Sequence, residues 1–409
     1  MSPAPASIET RTSWIVACTA LLVMCMTYGA PVLVVVALKN VAADLGSARS
    51  VPSLAYSLAW LGTAVGGLAM GRVAERIGVR WTIFFGALMI GLGLYVSTGG
   101  TEWQLLLGHG LLIGLLGNAG INAPLYIYVS HWFDRRRGTA LALISSGQYV
   151  AGAIWPPLFE RAITMWGWQG AMSAFAAVVV VTVLPLTALL RRPPAAAYHG
   201  AAASPHATAA PVLGWRPNTV QAMLSVAGFS CCVPMAMPAS HLVALCSDLG
   251  ISPAHGAAML SLLLGCAFVS RQFWGLVADR IGGLGTVLAG SACQAGALIA
   301  LALTQDETGL FIVSAAFGLG FSGIIPAYVL AIRELFPVAE ASWRIPTLLL
   351  MSGSGMAAGG WLAGLLYDHF GYYAPAFAAG IGFNLLNLAV LATLVARQRQ
   401  LRWRALPAE

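Results

Sequence analysis

The sequence predicts an all-α membrane protein with twelve transmembrane helices arranged as two six-helix bundles. The 409 residues are 59% hydrophobic and 9% charged, whereas an ordinary soluble domain carries about 25% charged residues. Twelve apolar stretches are long enough to cross a bilayer. The phrase GRVAERIG at 71–78 returns as GLVADRIG at 275–282, and such self-similarity over half of a chain indicates a duplicated half-protein.

The apolar stretches, numbered here as spans 1 to 12, divide evenly around a connector rich in Ala, Pro and His. The first six lie at 14–38, 53–73, 82–98, 104–130, 139–160 and 168–190. The next six lie at 218–245, 256–278, 284–304, 308–333, 345–367 and 374–396. Residues 191–217 cannot bury a core, so we expect a flexible linker there. The predicted domains are therefore an N-terminal bundle at 1–190, the linker at 191–217 and a C-terminal bundle at 218–409.

Positive charge distinguishes the two sides of the membrane. Of the 21 basic residues, seventeen lie at the termini, in the linker or in loops after even-numbered spans, Arg344 among them. The loops after odd-numbered spans carry only Lys39, Arg49 and Arg161. We call these the arginine-rich and the arginine-poor side. Because cytoplasmic loops carry the excess of Lys and Arg, we expect both termini in the cytoplasm. The net charge of +7 then faces anionic lipid and does not indicate nucleic-acid binding.

No sequence pattern indicates catalysis. The seven cysteines have no CxxC spacing, and no cluster of His, Cys and acidic residues has the spacing of a metal or hydrolytic site. We therefore expect no metal, no other cofactor and no enzymatic activity.

The two copies of the repeated phrase lie at the same end of spans 2 and 8. Six spans separate them, and an even number returns the chain to the same side, so the halves are related by an axis along the membrane normal. GRVAERIGVR and GLVADRIGGL resemble the G-x-x-x-D-R-x-G-x-R loop of the major facilitator superfamily. The resemblance implies two six-helix bundles that rock around a central site. The second copy lacks the last arginine, and the first has Glu75 instead of the usual Asp.

The acidic residues of this loop are candidate gating residues. A carboxylate at a helix end can accept hydrogen bonds from the N-terminus of a neighbouring helix or pair with an arginine. Glu75 and Asp279 are therefore predicted to stabilise one conformation. The predicted gating set also contains basic residues from these loops and from the DRRRG loop at 134–138, namely Arg76, Arg280 and Arg137. The alternative is that such arginines only determine topology.

One basic residue lies deep in a predicted span. Arg271 precedes Asp279 by eight residues, which places it about 12 Å inside the helix end. An arginine deep in the membrane costs at least about 2.5 kcal/mol on insertion scales. An anionic substrate offsets this cost, because a guanidinium donates two parallel charge-assisted hydrogen bonds to a carboxylate. Alternatively, Arg271 snorkels toward the cytoplasm or contacts helix carbonyls.

The segment VSRQFWGLVA at 269–278 resembles the arginine-bearing eighth span of the monocarboxylate transporters and their oxalate/formate-type bacterial relatives. In that family the arginine receives the substrate carboxylate. TYGAP at 27–31 and SHLVALCSDLGIS at 240–252 extend the likeness. Val32 replaces a lysine that is common after the Y-x-x-P of span 1, and Ala267 replaces an aspartate one turn before the arginine. Proton coupling therefore depends on the carboxyl of the substrate or on His241, or is absent.

Polar residues recur at helical spacing in span 4. Asn118, Asn122 and Tyr126 are four residues apart and form one polar stripe, which can donate several hydrogen bonds to an anion or a sugar hydroxyl. The alternative is hydrogen bonding between helices. Glycines four residues apart, such as Gly62 and Gly66, predict close contacts between helices.

Two tyrosines lie where prolines are expected to bend a span. Tyr28 lies beside Pro31 in span 1, and Tyr328 beside Pro326 in span 10. Both are predicted pocket walls, with ordinary interhelical packing as the alternative. His241 follows two prolines in span 7 and is a candidate for a substrate or proton role, although a lone histidine there is more often structural.

These features predict a carrier of small organic anions, above all monocarboxylates, that works as a uniporter, a proton symporter or an exchanger. We expect a monomeric, multi-pass protein of a bacterial inner membrane. An efflux carrier of amphipathic compounds, with Arg271 in a structural role, is the second interpretation. A non-transporting membrane receptor is the third, and the absence of any soluble sensing domain in the sequence speaks against it.

Overall fold

The computed structural model of the protein describes residues 9–190 and 211–404, which form helices joined by short turns. Ten helical stretches are long and apolar enough to cross a membrane. Two of these, Gly138–Ala188 and Pro253–Leu303, are 51 residues long, and each contains one non-helical glycine, Gly167 and Gly282. Each long stretch therefore holds two spans, so the described residues contain the twelve predicted spans in the predicted order.

The helix bounds follow the apolar stretches. Several helices extend beyond their apolar stretch, because the polar residues that flank it also have helical backbone conformation. The helices of spans 1 to 6 are Arg11–Thr27, Gly29–Val36, Leu38–Asp44, Ser50–Ile77, Val79–Ser97, Glu102–Leu107, Gly108–Asn118, Ala119–Ser130, Arg137–Ser145 and Gly147–Ala188. The helices of spans 7 to 12 are Pro217–Asp248, Pro253–Leu303, Glu307–Phe321, Ile324–Leu335, Val338–Phe370 and Ala374–Arg404.

The repeated phrase ends in a glycine with the same backbone conformation in both copies. Gly78 has φ 89° and ψ 142°, and Gly282 has φ 76° and ψ 171°. This region of backbone space is essentially restricted to glycine. It lets the chain pass from one span to the next within a single residue. Gly167, between spans 5 and 6, uses the same conformation, with φ 71° and ψ 171°.

Two spans are interrupted three residues before a proline. Span 1 breaks at Tyr28, before Pro31, and span 10 breaks at 322–323, before Pro326. A proline has no backbone N–H, so the carbonyl four residues earlier lacks its helical hydrogen bond. The predicted bends in spans 1 and 10 are thereby confirmed.

Span 4 contains an unusually wide helical segment. Residues Gly108–Asn118 form a π-helix of 11 residues, whereas most π-helical segments are single turns. Span 2 lies against this segment through glycines: a Cβ at Gly62 would lie 2.6 Å from the Gly110 carbonyl oxygen, and a Cβ at Gly66 would lie 2.6 Å from the Leu115 carbonyl oxygen. The predicted close contact at these glycines is confirmed.

The described residues divide into two compact units. The first unit contains residues 9–47 and 58–190, and the second contains residues 48–57 and 211–404. Residues 48–57 fall within the predicted N-terminal bundle but pack within the second unit. They include the first eight residues of helix Ser50–Ile77, and these contacts become important below.

The predicted linker is described only in part, because residues 191–210 lie outside the described residues. In the remainder, Val212 and Trp215 exchange two backbone hydrogen bonds of 2.9 and 3.0 Å. The turn between them has positive φ at Leu213 and Gly214, 53° and 76°. Arg397 of span 12 donates from Nε to the Leu213 carbonyl oxygen at 3.2 Å, so this end of the linker is attached to the second unit.

Arg344 differs from its predicted position in a loop. It lies in the first turns of helix Val338–Phe370 and is buried. Its Nε donates to Glu340 Oε2 at 2.7 Å, and its Nη2 donates to Asn218 Oδ1 at 3.2 Å. Glu340 and Arg344 are four residues apart, a spacing that suits an ion pair on a helix. Because both residues are charged, an apolar pattern does not predict this part of the helix.

Candidate functional site

Arg271 lies on the buried face of span 8. Its exposed fraction is 8%, whereas Val269 and Phe273 on the other face are 64% and 61% exposed. Ala267 and Trp274, one turn before and one turn after Arg271, are buried as well. Since apolar residues that face lipid are expected to be exposed in a single chain, Arg271 points toward the interior of the second unit and not toward lipid.

The neighbours of Arg271 attach span 8 to the break in span 10. Ser270 Oγ lies 2.6 Å from Ser322 Oγ, and Trp274 Nε1 donates to the Leu319 carbonyl oxygen at 2.8 Å. Gly323 packs directly on the Trp274 side chain, which leaves no room for a Cβ there. These contacts determine the rotation of span 8 and therefore the direction of Arg271.

In the first unit, two predicted site residues meet. Asn122 Nδ2 donates to the Tyr28 hydroxyl at 2.5 Å, and the Tyr28 ring lies 5.8 Å from the Trp60 ring. Tyr28 occupies the break of span 1, and Asn122 follows the π-helical segment of span 4. Asn118 is buried one turn earlier, and Tyr126, one turn later, is half-buried.

An aromatic cluster lies next to Tyr28. The rings of Trp155 and Phe159 each lie 4.8 Å from the ring of Phe175, and Phe175 packs against Gly29 where any larger residue would collide with it. Trp155 Nε1 donates to the Cys25 carbonyl oxygen at 2.9 Å. This cluster belongs to spans 1, 5 and 6 and was not predicted from the sequence.

Tyr328 belongs to a buried polar network of the second unit. Its hydroxyl donates to Asn387 Oδ1 at 2.7 Å, and Asn387 Nδ2 donates to Ser291 Oγ at 2.8 Å. Asn384 Nδ2 donates to the Ser291 carbonyl oxygen at 3.2 Å. The network joins spans 9, 10 and 12, and Tyr328 is fully buried within it. Its predicted role as a pocket wall stays a prediction.

His241 lies near the arginine-poor end of span 7. Its Nδ1 is 3.1 Å from the Tyr373 hydroxyl, and its Nε2 is 2.9 Å from the Gly360 carbonyl oxygen and 3.3 Å from Ser53 Oγ. Protein groups therefore surround both ring nitrogens in a fully buried site. The substrate or proton role of His241 stays a prediction.

The predicted gating residues are exposed at the arginine-rich end. Glu75, Arg76, Asp279 and Arg280 are all exposed, and within residues 9–190 and 211–404 no hydrogen bond or ion pair is recorded for them. The side chain of Arg137 is outside the described part of the chain. Their gating role stays a prediction.

Two other carboxylates accept hydrogen bonds from a helix start, the contact that was predicted for Glu75 and Asp279. Glu334 Oε2 accepts a hydrogen bond of 2.9 Å from the backbone N–H of Gly283, at the start of span 9. Glu9 Oε1 accepts hydrogen bonds from the backbone N–H groups of Arg135 and Arg136, just before span 5. Both carboxylates therefore satisfy N–H groups that a helix start leaves without partners.

The arginine-poor end of the second unit carries the most extensive charge cluster in the described residues. We define the Arg49 cluster as Arg49, Asp248, Tyr367, Asp368 and Tyr373. Arg49 Nη1 and Nη2 donate to Asp248 Oδ2 and Oδ1 at 2.5 and 2.7 Å, and Nη1 donates to the Tyr373 hydroxyl at 3.1 Å. The guanidinium carbon lies 3.8 Å from the centre of the Tyr367 ring. The backbone N–H groups of Arg49 and Ser50 donate to Asp368 at 2.9 and 2.8 Å.

The pKa values in this cluster keep its hydrogen-bond donors protonated. Burial lowers the pKa of Arg49, but its hydrogen bonds to Asp248 and Tyr373 outweigh burial and hold the pKa above its ordinary value. Burial raises the pKa of Tyr373 above its ordinary value, although nearby Arg49 lowers it. Both groups therefore stay in their donor forms throughout the physiological pH range.

A comparison of the sequence with known protein families identifies the family of this chain. A family model described as Major Facilitator Superfamily matches residues 16–243 and 222–409. The chain belongs to the major facilitator superfamily. This superfamily member is therefore a multi-pass secondary transporter and not an enzyme.

The relatives of this superfamily member are named for different kinds of transport. It is similar to "MFS-type transporter 1" of Ophiocordyceps sp. (strain BCC 1869), with 26% identity over 288 residues, 68% of this chain and 61% of that protein. It thus spans about three fifths of the length of that relative. Monocarboxylate transporter 13 of Bos taurus is 26% identical over 352 residues, 84% of this chain and 79% of that protein. Agnestins efflux protein AgnL12 of Paecilomyces divaricatus is 27% identical over 332 residues, 78% and 72% of the two chains.

The fold of this superfamily member also matches a solved structure. A bacterial homolog to the human lysosomal transporter Spinster, in an inward-facing and occupied conformation, aligns with a TM-score of 0.73 and 13% identity. The alignment covers 98% of this chain and 100% of that chain. At this identity the likeness shows the fold alone.

Proposed function

We propose that this transporter carries small organic anions, above all monocarboxylates, and that Arg271 binds the carboxylate of the substrate. The observation that carries the proposal is the burial of a cationic side chain on the interior face of a membrane span. Ionisable residues within spans are costly and mark transport pathways. A carboxylate offsets the cost, since it accepts two parallel hydrogen bonds from a guanidinium.

The Tyr28–Asn122 pair is the second proposed binding group. An amide and a phenol can both donate hydrogen bonds to a carboxylate or to a hydroxyl. The similarity to a protein named monocarboxylate transporter 13 supports this class of substrate.

Alternating access, the direction of insertion and the location complete the proposal. The excess of arginine on one side supports cytoplasmic termini. The resemblance to oxalate/formate-type bacterial relatives supports a monomeric carrier in a bacterial inner membrane. Proton coupling is the remaining choice: it uses the carboxyl group of the substrate or His241, or the carrier is a uniporter or exchanger.

Uptake by proteoliposomes tests the proposal. Labelled short mono- and dicarboxylates are presented to the purified chain with and without a pH gradient. We expect saturable uptake of at least one monocarboxylate and a reduction of roughly 30-fold or more in Arg271→Ala, because truncating one partner of a buried charge pair costs at least about 2 kcal/mol. Arg333→Ala, which removes an exposed arginine of the same unit, is the matched control and keeps full uptake.

The outcomes separate the two parts of the proposal. Full uptake by a folded Arg271→Ala variant would remove Arg271 from the binding site. Absence of carboxylate uptake by the parent chain would reject the anion substrate itself. Stimulation by an inward pH gradient identifies a proton symporter.

Efflux of amphipathic compounds is the second candidate. The aromatic cluster of Trp155, Phe159 and Phe175 supports it, because aromatic rings offer a large apolar surface to a flat apolar compound. The relative named agnestins efflux protein supports it as well. In this case proteoliposomes move uncharged amphiphiles, and Arg271→Ala leaves that flux unchanged.

A further inference from the structure

The Arg49 cluster differs from an ordinary surface ion pair. The side chains of Arg49 and Asp248 are only 14% and 22% exposed. Their two parallel hydrogen bonds form the bidentate geometry that makes an arginine–carboxylate pair strong and directional. The Tyr367 ring covers the face of the guanidinium at 3.8 Å, a cation–π contact that is strengthened when water is excluded.

A second carboxylate holds the main chain of the same residue. Asp368 accepts hydrogen bonds from two successive backbone N–H groups at the start of span 2, although it lies 319 and 318 residues away in sequence. These N–H groups have no partner within their own helix. Span 2 therefore begins on an acid from the end of span 11, while its Arg49 side chain is held by an acid from the end of span 7.

The layer beneath the cluster is closely packed through small residues. A Cβ at Gly364 would lie 2.6 Å from Ser53 Oγ, and a Cβ at Gly360 would lie 2.9 Å from Ser57 Oγ. Ser53 and Ser57 are buried. Glycines and serines therefore make the closest contacts of this layer, together with the Tyr56 ring, which lies 3.0 Å from a Cβ at Gly360.

The position of these contacts within span 2 suggests what they do. Residues 48–57 pack in the second unit, and the rest of span 2, from residue 58, packs in the first. One continuous helix, Ser50–Ile77, therefore changes its packing partners at Leu58. Alternating access requires contacts that break and re-form on each side of the membrane. Charge-assisted hydrogen bonds between small, close surfaces meet this requirement.

We propose that the Arg49 cluster is the gate that closes the arginine-poor side of this transporter. Separation of residues 48–57 from spans 7 and 11 opens that side in every cycle, and the re-formed Arg49–Asp248 pair closes it. The inference rests on alternating access in the superfamily and does not depend on which substrate is carried.

Thiol accessibility tests the gate without any substrate. Ser57→Cys places a reporter beneath the cluster, and Thr219→Cys places a second reporter at an exposed position of the arginine-rich end, each in its own chain. A membrane-impermeant thiol reagent is added to the arginine-poor side for the first reporter and to the arginine-rich side for the second. The parent chain measures the background from its native cysteines, two of which are exposed.

We expect Arg49→Ala to raise labelling of the Ser57→Cys reporter about tenfold and to lower labelling of the Thr219→Cys reporter, since a shift toward one state depletes the other. The exchange Arg49→Asp with Asp248→Arg restores both values toward those of the reporter chains. Arg161→Ala, which removes an exposed basic residue of the arginine-poor side, changes neither value.

Each other outcome overturns the gate. If only the Ser57→Cys reporter gains labelling, the cluster stabilises only its own surroundings, because opening of the arginine-poor side is then not coupled to closing of the arginine-rich side. If neither reporter responds in a folded chain, the pair has no role in opening. Where Arg49→Ala does not fold, the isosteric Asp248→Asn gives the same test. A lack of carboxylate uptake would reject the proposed substrate and leave these accessibility results unaffected.

Discussion

The two ends of the second unit are organised by different physical means. At the arginine-rich end, the repeated phrase carries Asp279 and Arg280, and both are exposed. At the arginine-poor end, Arg49 and Asp248 form a two-point ion pair with side chains that are mostly shielded from solvent. The repeated phrase, which has the stronger sequence signature, therefore has weaker charge contacts than the Arg49–Asp248 pair. The phrase is explained at least as well by the backbone of its last glycine as by its charges.

This comparison separates what a motif encodes from what a contact does. A glycine in a conformation that other residues avoid leaves a clear signature, because no substitution reproduces it. An ion pair between distant segments leaves none, because each partner alone is an ordinary surface residue. Variants at the two ends can therefore be ranked by whether they disturb the backbone, a helix start or only an exposed charge.

The largest effect on stability is expected at the last glycine of the phrase. Gly282→Ala forces a side chain into the positive-φ conformation of Gly282 and should destabilise the fold by about 1–3 kcal/mol. Thermal unfolding in detergent, followed by tryptophan fluorescence, measures this as a lower midpoint temperature. Asp279→Asn in the same phrase should leave the midpoint unchanged, because surface substitutions away from special features stay within about 0.5 kcal/mol.

The first glycine of the same phrase provides the matched control. Gly275 lies inside the helix, and a Cβ there would meet no atom within 4 Å. Gly275→Ala should therefore stabilise the helix by up to about 1 kcal/mol. Equal midpoints for the two alanine variants would show that the repeated glycine does not act through its backbone conformation.

The second largest effect on stability is expected at the start of span 2. Asp368→Ala removes the carboxylate that accepts the N–H groups of Arg49 and Ser50, and the loss of a helix cap costs about 1 kcal/mol. Asp279→Ala, at the opposite end of the unit, removes an exposed carboxylate and should cost less than about 0.5 kcal/mol. If both variants unfold at the same temperature, the two ends do not differ in the way the contacts suggest.

The fold follows from the sequence because each span is a local property. About 20 apolar residues are needed to cross a bilayer wherever they occur, and a break in a span follows from a proline within it. The turn glycines likewise act within one residue. These features need no knowledge of neighbouring helices, so their order and their bends agree with the structure.

The site was predictable only where its residues share one helix. The spacing of Asn118, Asn122 and Tyr126 indicates a stripe, but the contact of Asn122 with Tyr28 joins residues 94 apart. Asn384 and Asn387 in span 12 are three residues apart and carry the same kind of signal. The Arg49–Asp248 pair joins residues 199 apart, and no local spacing relates them.

The smallest effect is expected for the acid that does contact a helix start at the arginine-rich end. Glu334→Gln keeps an oxygen that can accept the hydrogen bond from Gly283, so only the interaction between the negative charge and the helix dipole is lost, about 0.3–1 kcal/mol. The midpoint of thermal unfolding should fall slightly for Glu334→Gln at low ionic strength, and the difference should shrink in high salt because an exposed charge is screened. Glu334→Ala removes the hydrogen-bond acceptor as well, so its midpoint of thermal unfolding should fall further at both salt concentrations. A salt-independent deficit in Glu334→Gln would show that the carboxylate acts through geometry and not through charge, and the arginine-rich end would then resemble the arginine-poor end more closely than its exposed residues indicate.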